Sequence, residues 1–318
     1  MHRLGVRARY RMMLTGTIIT NKAIDVFSPY KFLNPTVFGS SFYAFRNRYF
    51  DMTGYGLHVP VMKTGMAKEL TRRIHSIAFR ATKAECLDLP ETTEIVRNVE
   101  LEPQAQGMYR ELVQDSFLSL KDGEVTATNV LTRLLRLSQL SGGFLRKDGS
   151  ERPVPVSGAK LAALSDIVDS AAEDGRKLVI IARFLPEIDA IRQMLEKKRI
   201  GYSVISGEFK DRDEQVRRFQ TDPDVTVFVG QIATAGLGIT LTAADTMVFY
   251  SLDYSMSNFE QAKARIHRVG QRNPCTYIYL VADRTVDEKV LQALIDKADL
   301  AKALIDDYRA GKNPFQTD

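Results

Sequence analysis

Two arginines, Arg265 and Arg268, stand three residues apart in the segment from Gln261 to Gln271, whose sequence is QAKARIHRVGQ. A guanidinium group is always charged and carries a rigid fork of N–H donors that matches phosphate oxygens. Two such groups on one surface can stabilise the charge that develops on a phosphoryl group during its transfer. The pair therefore indicates a phosphate-binding site, although by itself it leaves open a solvated basic helix face.

A helix is predicted to carry this pair. Ser257 and Glu260 have the spacing of a capping box, and Gly270 suits a C-terminal cap, so the helix should cover about residues 258 to 269. A helical period puts three polar side chains on one stripe, namely Gln261, Arg265 and Arg268. It puts four apolar side chains on the buried face, namely Phe259, Ala262, Ile266 and Val269.

Two glycines form a second candidate site. Gly236 and Gly238 follow a predicted strand, Val225 to Gly230, within the run QIATAGLGITLT. Glycine lets the backbone approach a phosphate closely and leaves amide groups free to donate. A plain connection between strand and helix is the alternative, but the position at a sheet edge favours a ligand.

The elements around these motifs predict an α/β fold. From about residue 157, short apolar runs alternate with amphipathic helices, a rhythm that predicts a doubly wound parallel sheet with ligands outside the carboxyl ends of its strands. The predicted strands are Lys177 to Ala182, Gly201 to Ser206, Val225 to Gly230, Thr246 to Ser251 and Thr276 to Ala282.

The first 156 residues have a different pattern. One strand is predicted at Arg11 to Leu14, and the remainder is mainly helical, with helices near residues 67–79, 103–120 and 128–140. A long amphipathic helix, Val286 to Tyr308, is predicted to follow the last strand.

Composition limits the classes of protein. The chain has 318 residues, 44% of them hydrophobic, and no apolar run long enough to span a membrane. Its two cysteines, Cys86 and Cys275, have no ligand-like neighbours, so no disulfide framework or structural metal is expected, and a cytoplasmic location fits. Residues 1–83 carry fourteen Lys or Arg against three Asp or Glu, which suits contact with nucleic acid.

Taken in order, the motifs resemble the second half of a Swi/Snf-like ATPase of helicase superfamily two. The run QAKARIHRVGQ is similar to the family pattern nearly throughout. Two departures are Ile18, where the family usually has proline, and Ser206, where it usually has aspartate. The other similar segments are Arg11 to Thr17 with Asn21, Arg80 to Lys83 with Leu89 and Pro90, Ser157 to Lys160, Gly207 with Arg212 and Phe219, and Ala235 to Gly238.

The resemblance implies a RecA-like lobe of the P-loop NTPase type, preceded by a mainly helical region. The expected divisions are 1–24 (end of a first motor lobe), 25–156 (helical insertion and region between the lobes), 157–284 (second lobe) and 285–318 (helix and tail).

The resemblance also implies roles for individual residues. Arg265 and Arg268 would be arginine fingers that reach the triphosphate of ATP. Gln261 and Gly238 would line the nucleotide. The backbone of duplex DNA would be contacted by Thr234, Gly236, Lys210 and Arg212. Thr15 and Thr17 would couple the nucleotide state to DNA engagement.

Two elements of such a motor are missing from the sequence. The chain has no Gly-x-x-x-x-Gly-Lys-Ser/Thr motif and no convincing Asp-Glu-x-His segment, which cradle phosphates and hold magnesium. ATP and magnesium are therefore expected to be held mainly by a first RecA-like lobe, in another chain or a removed segment, and the isolated chain is expected to be inactive. A non-catalytic module that binds DNA or a partner is the alternative, and a decayed fragment without activity is a third.

Overall fold

The computed structural model divides the chain into two compact units at the boundary between Cys86 and Leu87. The divisions expected at residues 24/25, 156/157 and 284/285 stay predictions. The residues that the structure describes are 5, 7–15, 23–53, 59–79, 86–121, 127–146, 153–207, 211–234 and 238–296.

The first unit is mainly helical, as predicted, with an aromatic core. Phe27, Tyr30, Phe45 and Tyr49 are buried together, and the ring of Phe45 packs at a tilt against the rings of Phe27 and Tyr49. The strand predicted at Arg11 to Leu14 is wrong, because residues 10–15 form neither helix nor strand and no described strand pairs with them. The elements are α1 (Phe27–Leu33), α2 (Phe42–Tyr49), β1 (Phe50–Thr53) paired antiparallel with β2 (Val59–Met62), and α3 (Met66–His75).

The second unit contains a six-stranded, fully parallel sheet, which confirms the RecA-like doubly wound fold. Its strand order is β3-β10-β9-β6-β8-β7. All five predicted strands are present, as β6 (Leu178–Ala182), β7 (Gly201–Ile205), β8 (Val225–Gln231), β9 (Thr246–Phe249) and β10 (Cys275–Ala282).

Edge strand β3 (Thr92–Val99) was not predicted from the sequence, and seven of its eight residues are exposed. An edge strand needs no apolar run, so the signal that revealed the buried strands is absent. A short antiparallel hairpin of β4 (Phe144–Arg146) and β5 (Pro153–Pro155) was also missed.

Helices cover both faces of the sheet. Along β6, Leu178 and Ile180 belong to one buried apolar cluster, whereas Val179 and Ile181 belong to the other, because successive strand residues face opposite sides. One cluster includes α6 (Ala159–Glu173) and α7 (Leu185–Lys197), and the other includes α4 (Pro103–Lys121), α5 (Ala127–Ser141), α8 (Arg212–Thr221), α9 (Met256–Lys263) and α10 (Val286–Ile295). Within the described part of the chain, none of these helices has the length and apolarity to cross a membrane.

Candidate functional site

The helix that carries the motif is shorter than predicted. Helix α9 begins after Ser255, whose hydroxyl accepts a hydrogen bond from the backbone N–H of Asn258 at 3.3 Å, and it ends at Lys263. The predicted cap, Ser257, instead accepts a hydrogen bond from the Gln261 amide at 2.9 Å. Residues 264–270 form turns, which we call the arginine turn, so Arg265 and Arg268 do not share a helical stripe.

Only part of the predicted apolar face is buried in the structure. Ala262 and Ile266 are completely buried, as predicted, and hold the turn against the sheet. Val269 was predicted to be buried but is 67% exposed. Gly270 has a φ of +99°, a left-handed conformation that glycine adopts readily, so it closes the turn and does not cap the helix.

The turn brings the two guanidinium groups together on one carbonyl oxygen. Nη1 of Arg268 donates to the carbonyl oxygen of Ile239 at 3.1 Å, and Nη1 of Arg265 lies 3.4 Å from the same oxygen. Neither arginine forms an ion pair with a described carboxylate. Two like charges held this closely without a counter-charge favour an anionic ligand.

Arg265 is the more enclosed of the two. Its Nε is buried and has no hydrogen-bond partner among the described residues. Burial, followed by the charge of Arg268, lowers the pKa of Arg265. A bound anion would oppose both effects, because it would satisfy the free donor and offset the repulsion between the guanidinium groups.

Gln271 holds this arrangement together, a role that was not predicted from its position at the end of the motif. Its side chain is buried, and its Nε2 donates to the carbonyl oxygens of Ala244 at 2.8 Å and Ile266 at 3.2 Å. A backbone bond from Leu241 N–H to the Arg265 oxygen, at 2.9 Å, reinforces the link. Hydrogen bonds therefore join the arginine turn to residues 239–244, which lie just before β9.

The arginines lie at the amino ends of the sheet strands, whereas the ligand was expected at their carboxyl ends. Helix α9 starts after the carboxyl end of β9 and runs back toward the amino end of β10, as a crossover helix must. Gln271 bonds to Ala244, just before β9 begins, and β10 begins soon afterwards at Cys275. The arginine turn is thus next to the amino ends of β9 and β10, whereas the carboxyl ends were expected to hold the ligand.

The remaining predicted site residues are only partly brought together. Gly238, with a φ of +73°, directly precedes Ile239, and a Cβ atom added to it would meet no neighbour within 4 Å. Thr234 ends a 3₁₀ turn, Ile232–Thr234, directly after β8, and Arg212 is half-buried at the start of α8. Thr15 is exposed in the first unit. The calls on Lys210, Gly236 and Thr17 lie outside the described residues.

The arginine turn fits the phosphates of a nucleotide, since it supplies guanidinium donors without a competing carboxylate. Magnesium has no such fit in the described part of the chain, which contains no group of three or more His, Cys, Asp or Glu side chains able to hold a metal ion.

Two family models match the chain in consecutive segments. The SNF2-related domain matches residues 3–142, and the helicase conserved C-terminal domain matches residues 159–270, which ends within the arginine turn.

Curated relatives match along nearly the whole chain. Chromodomain-helicase-DNA-binding protein 1-like of Danio rerio is 27% identical over 312 residues, which are 94% of this chain and 29% of that protein. An uncharacterized ATP-dependent helicase of Mycoplasma pneumoniae is 26% identical over 309 residues, which are 95% of this chain and 28% of that protein. The chain therefore spans less than a third of the length of these relatives.

A solved structure supports the same assignment. The Sulfolobus solfataricus SWI2/SNF2 ATPase core in complex with dsDNA is 29% identical and matches with a TM-score of 0.55, covering 96% of this chain and 64% of that one. The SNF2-related model matches the part of the chain before residue 157, and the helicase C-terminal model matches the predicted second lobe after it. The chain belongs to the Swi/Snf-like proteins of helicase superfamily two.

Proposed function

We propose that this chain supplies the second motor lobe of a DNA-dependent ATPase, with Arg265 and Arg268 as its arginine fingers. The observation that carries the proposal is the convergence of both guanidinium groups on the Ile239 oxygen without a described carboxylate partner. Guanidinium groups held in this way stabilise negative charge on a transferring phosphoryl group. Gln261 and Gly238 would lie beside the same nucleotide.

The loop between β8 and β9 links this nucleotide site to the proposed DNA contacts. Thr234 and Gly236 precede Ile239 by only a few residues, and Ile239 is the residue on which both arginines meet. Lys210 and Arg212, at the start of α8, would add contacts to the phosphate backbone of duplex DNA. The DNA-bound structural relative supports this choice of nucleic acid.

The proposal requires a partner lobe. A phosphate loop and a magnesium-binding acidic motif are absent from the sequence, so a first RecA-like lobe outside these 318 residues would hold ATP and magnesium. Thr15 and Thr17 would couple the state of the nucleotide to the binding of DNA. Bound ATP supplies the phosphoryl group, and the residues of this chain orient it and neutralise its charge.

The test combines the chain with a first lobe that carries a phosphate loop and measures phosphate release with and without duplex DNA. Replacing Arg265 or Arg268 by lysine keeps the charge but removes the rigid fork of donors. We expect each change to lower the DNA-stimulated rate by about 10³-fold or more, as loss of an arginine finger does.

Arg272 provides a matched control, since it is exposed and lies directly after the same motif. Arg272→Lys should leave the rate unchanged. Lysine variants at Arg265 and Arg268 that hydrolyse ATP as fast as the unmodified chain would rule out the finger role. Robust ATP hydrolysis by the chain without any added lobe would contradict the need for a partner.

A further inference from the structure

Two aromatic side chains are exposed side by side on the first unit, at the edge of its aromatic core. Phe42 and Tyr43 open helix α2 and are 41% and 67% exposed, with their ring centroids 6.1 Å apart. Phe42 rests edge-on against buried Phe27, at a centroid distance of 5.5 Å. Phe42 thus anchors the start of helix α2 to the core, and Tyr43 beside it presents its ring to solvent.

One cation lies against Tyr43, and a second lies against Phe27, the buried ring on which Phe42 rests. The Arg46 guanidinium lies 5.1 Å from the ring centroid of Tyr43, and the Lys31 ammonium lies 5.7 Å from that of Phe27. The Asn47 amide oxygen accepts bonds from Nε and Nη2 of Arg46, at 3.1 and 2.9 Å, which orients the guanidinium and leaves Nη1 unbonded among the described residues. Together Lys31, Phe42, Tyr43 and Arg46 form a surface that we call the Tyr43 surface.

Two carboxylates of this unit interact with cations outside the Tyr43 surface. Glu69 bonds to Arg48 and Arg73, and Asp51 lies 3.7 Å from Lys63. Neither Lys31 nor Arg46 forms an ion pair with any described carboxylate. The surface therefore combines exposed π faces with uncompensated positive charge.

We infer that the Tyr43 surface binds single-stranded nucleic acid. Unpaired bases stack on exposed aromatic rings, and the cations beside the rings meet the phosphates of the same strand. Duplex DNA fits less well, because its bases are already stacked and paired and cannot reach a ring on a helix surface. A protein partner is less favoured, because it would have to supply acids for both cations. This contact goes beyond the proposed motor, whose predicted DNA contacts lie in the second unit.

The test measures binding of the full chain, without ATP, to fluorescently labelled oligothymidine, oligouridine and a mixed-sequence duplex by anisotropy. Tyr43→Leu removes the ring while keeping an apolar side chain, and it should weaken single-strand binding by about 5- to 150-fold, the range found when a stacked base loses its aromatic partner. Tyr43→Phe should retain the affinity. Arg46→Gln should weaken binding and reduce its salt dependence by about 0.7 per lost phosphate contact.

Tyr10 provides a matched control, since it is 82% exposed and lies beneath Arg9 at 5.3 Å, yet it is outside the helices. Tyr10→Leu should leave the affinity for single strands unchanged. Tyr43→Leu should leave the affinity for the duplex unchanged. Preference for DNA or for RNA identifies the natural strand, and either supports the inference. The inference would be overturned if the chain did not bind single strands, or if Tyr10→Leu weakened single-strand binding as much as Tyr43→Leu does. It would also be overturned if Tyr43→Leu weakened binding to the duplex as much as binding to single strands. None of these outcomes bears on the arginine fingers, whose test uses ATP hydrolysis.

Discussion

Gln271 shows how one side chain can fix the position of others. Its amide joins the loop before β9 to the turn that carries Arg265 and Arg268, and its Oε1 accepts the backbone N–H groups of Arg272 at 2.9 Å and Asn273 at 3.1 Å. Because every partner is a backbone group, an apolar replacement would leave several of them unsatisfied.

Gln271→Leu should therefore lower the free energy of unfolding by about 1 to 3 kcal/mol, the cost of buried polar groups left without partners. Urea denaturation of the whole chain measures this change. Gln104→Leu, at an exposed position, is the control and should change stability by less than about 0.5 kcal/mol. Equal stabilities for the two variants would show that the Gln271 bonds do not hold the turn.

Glu187 is a second buried polar residue with measurable consequences. It accepts hydrogen bonds from the backbone N–H groups of Arg183 and Phe184, at 3.2 and 3.0 Å, where α7 begins. Burial raises its pKa from 4.5 to about 7, although bonds from Ser251 and the backbone act in the opposite direction. The folded chain therefore binds a proton more tightly than the unfolded chain does.

It follows that the stabilising effect of this group is complete below about pH 4.5 and is lost as the pH rises through about 7. Glu187→Gln stays neutral, so its stability relative to the unmodified chain should rise by about 2 to 3 kcal/mol between pH 5 and pH 8. Urea denaturation at both pH values tests this expectation. The exposed Glu173→Gln variant is the control, and a pH-independent difference for Glu187→Gln would contradict the pKa shift.

At the scale of elements, α9 determines where the arginines lie. Its sequence allows two starting points, since both Ser255 and Ser257 are good capping residues. The structure uses Ser255, and the helix ends at Lys263 because Ile266 must remain buried while the chain turns toward β10. Local sequence signals cannot decide this, because the position of the sheet determines how far the helix can run.

The two capping alternatives predict opposite results. Ser255→Ala should lower the free energy of unfolding by about 1 kcal/mol, the usual cost of losing a helix N-cap. Ser257→Ala removes only the bond from the Gln261 side chain and should cost no more than about 0.5 kcal/mol. Chemical denaturation of both variants measures the difference. A larger loss for Ser257→Ala would favour the longer helix predicted from the sequence.

At the scale of the whole molecule, each compact unit has buried apolar clusters of its own. The clusters on the two faces of the parallel sheet belong to the second unit, and the aromatic cluster belongs to the first. Helices α4 and α5, which precede residue 157, supply Tyr109, Leu134 and Leu137 to one face of the sheet. The sheet thus depends on residues that the sequence analysis assigned to the region between the lobes.

A chain that begins at Leu87 should therefore fold and unfold cooperatively, since it keeps both clusters of the sheet unit. A chain that begins at Ser157, at the predicted start of the second lobe, should lose that cooperativity, because it lacks α4, α5 and β3. Urea titrations followed by near-ultraviolet circular dichroism compare the two. Equal cooperativity would show that the sheet does not need these elements and would support the division at residue 157.

Much of the fold follows from the sequence alone. The five buried strands were predictable because parallel strands covered on both faces must be short apolar runs, and the motifs between them indicated the family. Edge strand β3 was not predictable in this way, because its exposed residues have no such pattern. The exposed ring of Tyr43 was also not predictable, because its proposed role depends on spatial neighbours that a sequence does not reveal.

By itself, therefore, the sequence determined the parallel sheet and its family, and it pointed to Arg265 and Arg268 as candidate site residues. Only the tertiary structure decided that these arginines leave the helix, meet on the Ile239 oxygen and lie near the amino ends of β9 and β10. The physical reason is that side-chain chemistry and periodicity are local properties. Where a helix stops, and which carbonyl an arginine meets, depends on buried contacts between segments far apart in the chain.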